Sequence, residues 1–412
     1  MQPNKLKTRN RSGSLHVLTN GMQLEKDVNH HLTGPFLPQT PLGSAASSRD
    51  ASPVPPYKKL PPPQPSALLT WAIDPLVAFK ILIVPVILYI NWDLITPFVD
   101  PSLQSRNPFA PLFLLSHRVP ASSEEDPRYQ KGYLDLLFIA YYIVFWSCIR
   151  QIITVNICKR ICHYFGIKKQ VKIERFGEQG YAFVYFAFFG AWGFRIMSQL
   201  PSFWYRTEYF WLNYPHWDMK PELKCYYLVQ MAYWWQQLIV MVLGLEKPRK
   251  DYRELVAHHA VTLWLVGWSY LVNLTFIGNA VYMSMDIPDT FLAFSKLLNY
   301  LQRETAKMVV FAGLLVTWSY FRLWLNLRIL WSVWNEFDLI PDEAKQWYPE
   351  SGAWLVWWMK YQIFTPLLLL EFLNLFWYYL ILRIAYRAIT TNTATDDRSD
   401  DDEDEGDDGK ED

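Results

Sequence analysis

The chain has 412 residues, of which 51% are hydrophobic and 17% aromatic, with 20 Trp, yet its mean hydropathy is near zero because two polar ends flank a very apolar middle. Several runs in that middle approach the roughly 20 apolar residues that cross a bilayer, which excludes an ordinary soluble domain and predicts an all-α polytopic membrane protein. The zero net charge is a cancellation: Asp396–Asp412 holds twelve acids and two bases out of 39 of each, so the rest carries ten surplus positive charges. Such a surplus suits anionic headgroups and anionic substrates, and also ordinary cytosolic loops.

Residues 1–70 combine Pro clusters (PVPPY, LPPPQP) with Ser and scattered charge, which predicts disorder. They contain no early apolar run after a basic stretch, so no signal peptide is expected. Eight spans follow, at about 73–95, 132–153, 178–198, 224–244, 256–274, 277–298, 306–330 and 354–384. The corresponding organisation is a disordered cytosolic segment (1–70), a first span and lumenal loop (71–131), a second span and basic loop (132–169), a six-span bundle around a central cavity (170–390) and an acidic disordered tail (391–412). Lys and Arg set the orientation. The loop with Arg150, Lys159, Arg160, Lys168, Lys169, Lys172 and Arg175 and the loop with Lys247, Arg249, Lys250 and Arg253 belong in the cytosol, as does the end of the last span with Arg383 and Arg387. Both termini are then cytosolic. In the tail, Ser399 precedes Asp400, Asp401, Asp402 and Glu403, the local charge an acidophilic kinase prefers, while a solubilising tail is the plain alternative. The four Cys predict free thiols, and Cys158, Cys162 and His163 make a weak metal set.

The segment from Lys250 to Tyr300 carries His258, His259, Asp286 and Asp289 at hydrophobic depth, where ionisable groups are costly and therefore functional candidates. At about 100° per residue, the two His point in different directions. Thr262, Ser269 and Asn273 continue a polar stripe from the His pair, and Asp286 and Asp289, three residues apart, share a face extended by Ala293, Lys296 and Tyr300. Pro288 between the acids predicts a kink. If the fifth and sixth spans are antiparallel neighbours, the stripes meet. Such a set can supply a general base, an acyl-imidazole nucleophile or a metal site. The metal option suffers because helical chelating pairs stand four residues apart. Interhelical hydrogen bonding is the purely structural alternative. Only one His pair lies in the membrane core, which argues against the His-rich di-iron desaturases. Gln230, Trp234 and Gln237 add a second polar face, and Arg322 and Glu371 suggest an ion pair between the seventh and eighth spans, with Arg322 snorkelling to the interface as the equal alternative. The aromatic run at 203–218 reads first as an interfacial belt.

The segments KDYRELVAHHAVTL, WSYLVN and MDIPDTFLAFSKLLNY resemble the Lag motif of ceramide synthases, sphingosine N-acyltransferases of the TLC (TRAM–LAG–CLN8) membrane family. ERFGEQGYAFVYF and WLNYPH…KCYYLVQMAYW fit the same family, and the likeness spans about residues 107–390. It implies an endoplasmic-reticulum enzyme that joins a fatty acyl-CoA to a sphingoid base (sphinganine or phytosphingosine), giving ceramide or dihydroceramide. The family's His pair matches His258 and His259, and its acidic pair matches Asp286 and Asp289. Many animal relatives carry His before the first Asp; Met285 here resembles the fungal branch. The resemblance implies membrane lipid surroundings, a small single-span accessory subunit, a homo- or hetero-dimer with a paralogue, no nucleic acid, no metal and no bound cofactor, with acyl-CoA a substrate. On this reading Asp286 orients the His258 or His259 imidazole and Asp289 positions the amine or supports the network. The alternative is a non-enzymatic lipid-binding or translocon-accessory member of the same family.

Overall fold

The structure, a computed structural model, describes residues 67–246 and 250–391. The expectations for residues 1–66 and for the acidic tail with Ser399 lie outside the described residues. A 3-10 helix at Ala67–Ala72 opens the described chain, so regular structure begins before residue 71. Eight long helices follow: α1 (Pro75–Val99), α2 (Asp135–Tyr164), α3 (Gln170–Met197), α4 (Pro221–Val242), α5 (Tyr252–Leu271), α6 (Thr275–Tyr300), α7 (Glu304–Asn335) and α8 (Met359–Thr391). They overlap the eight predicted spans, but α2 continues to Tyr164 through the expected basic loop, α3 begins at Gln170 ahead of 178 and α8 runs on to Thr391 past 384. Among the described residues there is no strand beyond isolated bridges.

Local sequence explains several ends. The Asp74 side chain accepts from the Leu76 amide at 2.8 Å ahead of Pro75 in the first turn, a favourable N-terminal pattern. Asn273 takes φ +62 after α5 and holds the turn into α6. Pro288 costs one backbone hydrogen bond, but α6 runs on as one helix from Thr275 to Tyr300. Two helices contain π-helical turns, Ile152–Cys158 in α2 and Trp318–Leu325 in α7. Such turns frequently mark functional positions.

Four helices, α1, α2, α7 and α8, are long and apolar enough to cross a bilayer by length and composition. The other four carry the polar residues singled out above, which lowers their hydropathy. The chain is a multi-pass membrane protein. Helix directions alternate between two faces. Gln151 at α2 donates to Ala72 before α1, Arg150 pairs with Glu246 after α4 at 2.8 Å, and Trp377 of α8 donates to Asp251 before α5 at 3.1 Å. These contacts, with the exposed Lys159, Arg160, Lys168 and Lys169, define a basic face. At the opposite face Tyr214 donates to Val272 and Asn273 to Gly352.

A large cluster including Trp146, Tyr185, Phe189, Tyr226 and Tyr233 binds α2, α3 and α4 together, and a second one joins α6, α7 and α8 with the loops of the opposite face. At that face, Lys224 of α4 is fully buried and bridges Asp135 of α2 at 2.8 Å, while donating to the Ser116 and Gln130 carbonyls. Tyr270 of α5 donates to the same Asp135 carboxylate at 2.8 Å, so one carboxylate joins three helices.

Breaking one side of a buried pair leaves a charge unmatched, at a cost of about 3 kcal/mol or more. Lys224→Met is expected to lower the thermal midpoint of the detergent-solubilised protein by several degrees. Arg128→Met, at an exposed ion pair with Asp126, is expected to change it little, because such surface pairs contribute at most about 1 kcal/mol.

Candidate active site

Two cavities inside the bundle share wall residues. One opens toward the basic face, with a volume of about 1330 Å³ including its mouth, and carries most of the charged groups: its walls include Glu178, Gln237, Glu246, Asp251, Asp289, Lys296 and Arg322. The other, about 730 Å³ again including its open side, runs between α4, α5, α6 and α8 and is walled by Trp264, Leu265, Ile277, Val281, Ile363 and Leu367 with few polar atoms. His258 and Trp234 are in both walls, whereas His259 lines the polar vestibule alone.

The His pair is asymmetric, as helical phase predicts. The two rings lie 5.8 Å apart and nearly perpendicular, at 89°. His259 Nδ1 stands 2.9 Å from the Leu255 carbonyl. A carbonyl only accepts, so in the neutral ring Nδ1 carries the proton and Nε2 the lone pair. His258 has a long 3.5 Å approach from Nε2 to Thr262 Oγ1, and its buried Nδ1 has no hydrogen-bond partner. Three rings frame it: Trp234 at 5.7 Å, Trp377 at 5.3 Å and His259.

The two acids have different partners. Three residues along a helix leave about 60° between side chains, enough to address different neighbours. Asp286, fully buried, accepts from Gln230 Nε2 of α4 at 2.8 Å, and Tyr185 of α3 donates to Gln230 Oε1, which fixes the amide. Its other oxygen has no hydrogen-bond partner. Asp286 therefore does not hold the His258 imidazole; the expected orienting bond is replaced by the Gln230 contact. Asp289 faces the vestibule and pairs with Arg322 of α7 at 2.6 Å. Arg322 also donates to the Met285 carbonyl at 3.1 Å and stacks over Trp318 at 4.2 Å.

The pair suggested between Arg322 and Glu371 is not formed. Arg322 takes Asp289, and neither Glu371 side-chain oxygen has a hydrogen-bond partner although the residue is 2% exposed. Of the other expected lining residues, Thr262 and Ser269 lie on the apolar cavity, Gln237 and Lys296 on the vestibule and Trp234 on both. Asn273 and Gln230 line neither. Asn273 is spent on the turn at the opposite face and Gln230 on Asp286. Sequence reasoning missed Trp377 and Asp251, which close the vestibule through one hydrogen bond. They are separated by more than a hundred residues, and no periodicity links them.

The TLC domain family matches over residues 175–383. The chain belongs to that family. It is similar to a sphingosine N-acyltransferase of Schizosaccharomyces pombe, 40% identical over 296 residues that cover 72% of this chain and 76% of the relative. It is also similar to a ceramide synthase of Saccharomyces cerevisiae, 35% identical over 318 residues covering 76% and 75% of the two chains. A mouse ceramide synthase is 28% identical over 238 residues, 56% of this chain and 53% of that one.

Arg322→Leu removes one partner of a largely buried pair and is expected to cost about 3–5 kcal/mol of stability, read as a lower thermal midpoint. Glu371→Gln is expected to leave the midpoint nearly unchanged. Equal losses in both variants would restore an Arg322–Glu371 interaction.

Proposed function

We propose that this chain is a ceramide synthase that transfers a fatty acyl group from acyl-CoA to the amine of a sphingoid base. The observation that carries the reading is the position of His258 at the junction of a polar vestibule and an apolar cavity. A fatty acyl-CoA has the same division: a charged head, an apolar chain, and the reactive thioester between them. The chain occupies the cavity along α5 and α6, the head stays at the basic face, and the thioester carbon lies beside His258. The names of the curated relatives support the same reaction.

In this mechanism the His258 imidazole is the reacting group, as base toward the amine or as transient acyl carrier. His259 serves protons in the vestibule, where the amine arrives beside Asp289. Asp286 acts at one remove, fixing α6 against α4 through Gln230. No metal or bound cofactor takes part; CoA leaves as product. The protein acts in the endoplasmic-reticulum membrane with the basic face and both termini in the cytosol. A small single-span accessory subunit and dimerisation with a paralogue complete the proposal.

His258→Ala and His259→Ala are tested singly in purified protein with acyl-CoA and sphinganine. Loss of general-base or nucleophilic catalysis is expected to reduce turnover about 100-fold or more for His258→Ala at an unchanged thermal midpoint. Wild-type turnover in both variants would remove the His mechanism. Intact-mass detection of an acyl adduct with acyl-CoA alone separates nucleophile from base.

A further inference from the structure

Buried indole N–H groups usually find an acceptor. Around the bundle core they do: Trp146 donates to the Val229 carbonyl at 3.0 Å, Trp211 to Ser332 at 2.8 Å, Trp318 to the Asn374 carbonyl at 3.2 Å and Trp377 to Asp251 at 3.1 Å. Trp234 is the exception at the site. It is 6% exposed, and its Nε1–H has no hydrogen-bond partner. A buried donor left unmatched costs about 1–3 kcal/mol and calls for a reason. Trp268 and Trp354 also lack one. Trp354 borders neither cavity, and Trp268 sits ten residues beyond His258 on α5, about 15 Å along the helix.

The location of Trp234 supplies the reason. It shares with His258 the property of lining both cavities, and its ring lies 5.7 Å from each imidazole, at 73° and 69°. The indole thus borders the place the reacting carbonyl must occupy if the chain enters the apolar cavity and the head remains in the vestibule. We propose that Trp234 is a catalytic residue whose Nε1–H donates to the thioester carbonyl oxygen and to the oxyanion formed from it.

The step balances without another reactant. The lone pair of the attacking nitrogen, imidazole or amine, forms the C–N bond and pushes the carbonyl π pair onto oxygen, where Trp234 donates its hydrogen bond. The pair then returns, the C–S bond breaks, and CoA leaves as thiolate. The thiolate is neutralised by the proton the amine gives up through His258 or His259. On the imidazole route the amine then adds to the acyl-imidazole carbonyl in the same way and the imidazole leaves as the C–N bond to His breaks, so by either route the sum is acyl-CoA plus amine giving amide plus CoA thiol. A fixed donor in a water-poor site needs no reorganisation as charge develops, which is why such donors favour the transition state over the ground state. The two neighbouring cations, Lys296 and Arg322, line the vestibule alone and leave this position on the apolar side to the indole.

This inference rests on the acyl-transfer reading, and its test separates the two. Full-length protein in nanodiscs is assayed with palmitoyl-CoA and sphinganine as wild type, as Trp234→Phe, and with 3-benzothienylalanine at position 234, which keeps the indole shape but replaces N–H by sulfur. Binding of S-hexadecyl-CoA, a thioether with no carbonyl, is measured in parallel. Removing an oxyanion donor is expected to lower kcat about 100-fold or more, with KM and thioether binding close to wild type. Unchanged kcat in the benzothienyl protein overturns the proposal, and so does a parallel loss of kcat and thioether binding, which would mark a packing role. If Trp234→Phe does not fold, the benzothienyl protein alone decides. A folded wild-type protein with no turnover overturns the acyl-transfer reading instead.

Discussion

The architecture depends on the ion pair between Asp289 and Arg322, made inside an apolar bundle. Moving a carboxylate and a guanidinium out of water is costly, and their attraction offsets that cost only with close geometry and further hydrogen bonds. The protein supplies both. The π-helical turn Trp318–Leu325 contains Arg322, the Trp318 ring covers one guanidinium face, and the Met285 carbonyl takes another proton. Asp286, one turn away, is matched through Gln230 and Tyr185 from two other helices. The acids of α6 thereby tie it to α3, α4 and α7. The four helices that qualify as spans by length and composition, α1, α2, α7 and α8, lie before and after the middle four in the chain.

The abundance of Trp serves two separate ends. Trp331, Trp334, Trp347, Trp357 and Trp358 are exposed near the opposite face, where an indole bridges apolar and polar layers, as the interfacial reading expects. Trp234, Trp318 and Trp377 are buried around the site and do different work. Trp318 and Trp377 each combine ring contact with a hydrogen bond, one over Arg322 and the other between His258 and Asp251. Composition alone does not separate these groups, because a buried indole and an interfacial one look alike in the sequence.

The positions of the helices and the four ionisable residues at depth were legible because each signal is local: an apolar run, a charge within it, a spacing along one helix. Helical phase correctly set His258 and His259 on different bearings. It failed where partner choice depends on which helix lies opposite. Three-residue spacing suggested a common face for Asp286 and Asp289, yet the remaining 60° sends one to α4 and the other to α7. Arg322 and Glu371 match by charge, which makes a pair one of two readings, but α6 lies within reach of Arg322 and offers Asp289. Asn273 fitted the stripe arithmetically. Its positive φ takes it out of the helix, so periodicity no longer applies there.

Depth along α5 explains why the two cavities are unlike. His258 is six residues inside the helix, about 9 Å from its start at the basic face. A phosphate-bearing head can remain in the vestibule while its thioester reaches that level. Beyond it, Ser269 lies a further eleven residues along, about 16 Å toward the opposite face, and the wall is almost entirely apolar over that length. Gly278 leaves room for the Tyr227 hydroxyl, which a Cβ there would displace and which meets Ser269 at 2.5 Å in the cavity wall. The wall of the apolar space holds this hydroxyl pair as well as His258 and Trp234. A chain held within that wall presents its reactive carbon where the polar and apolar halves of the site divide.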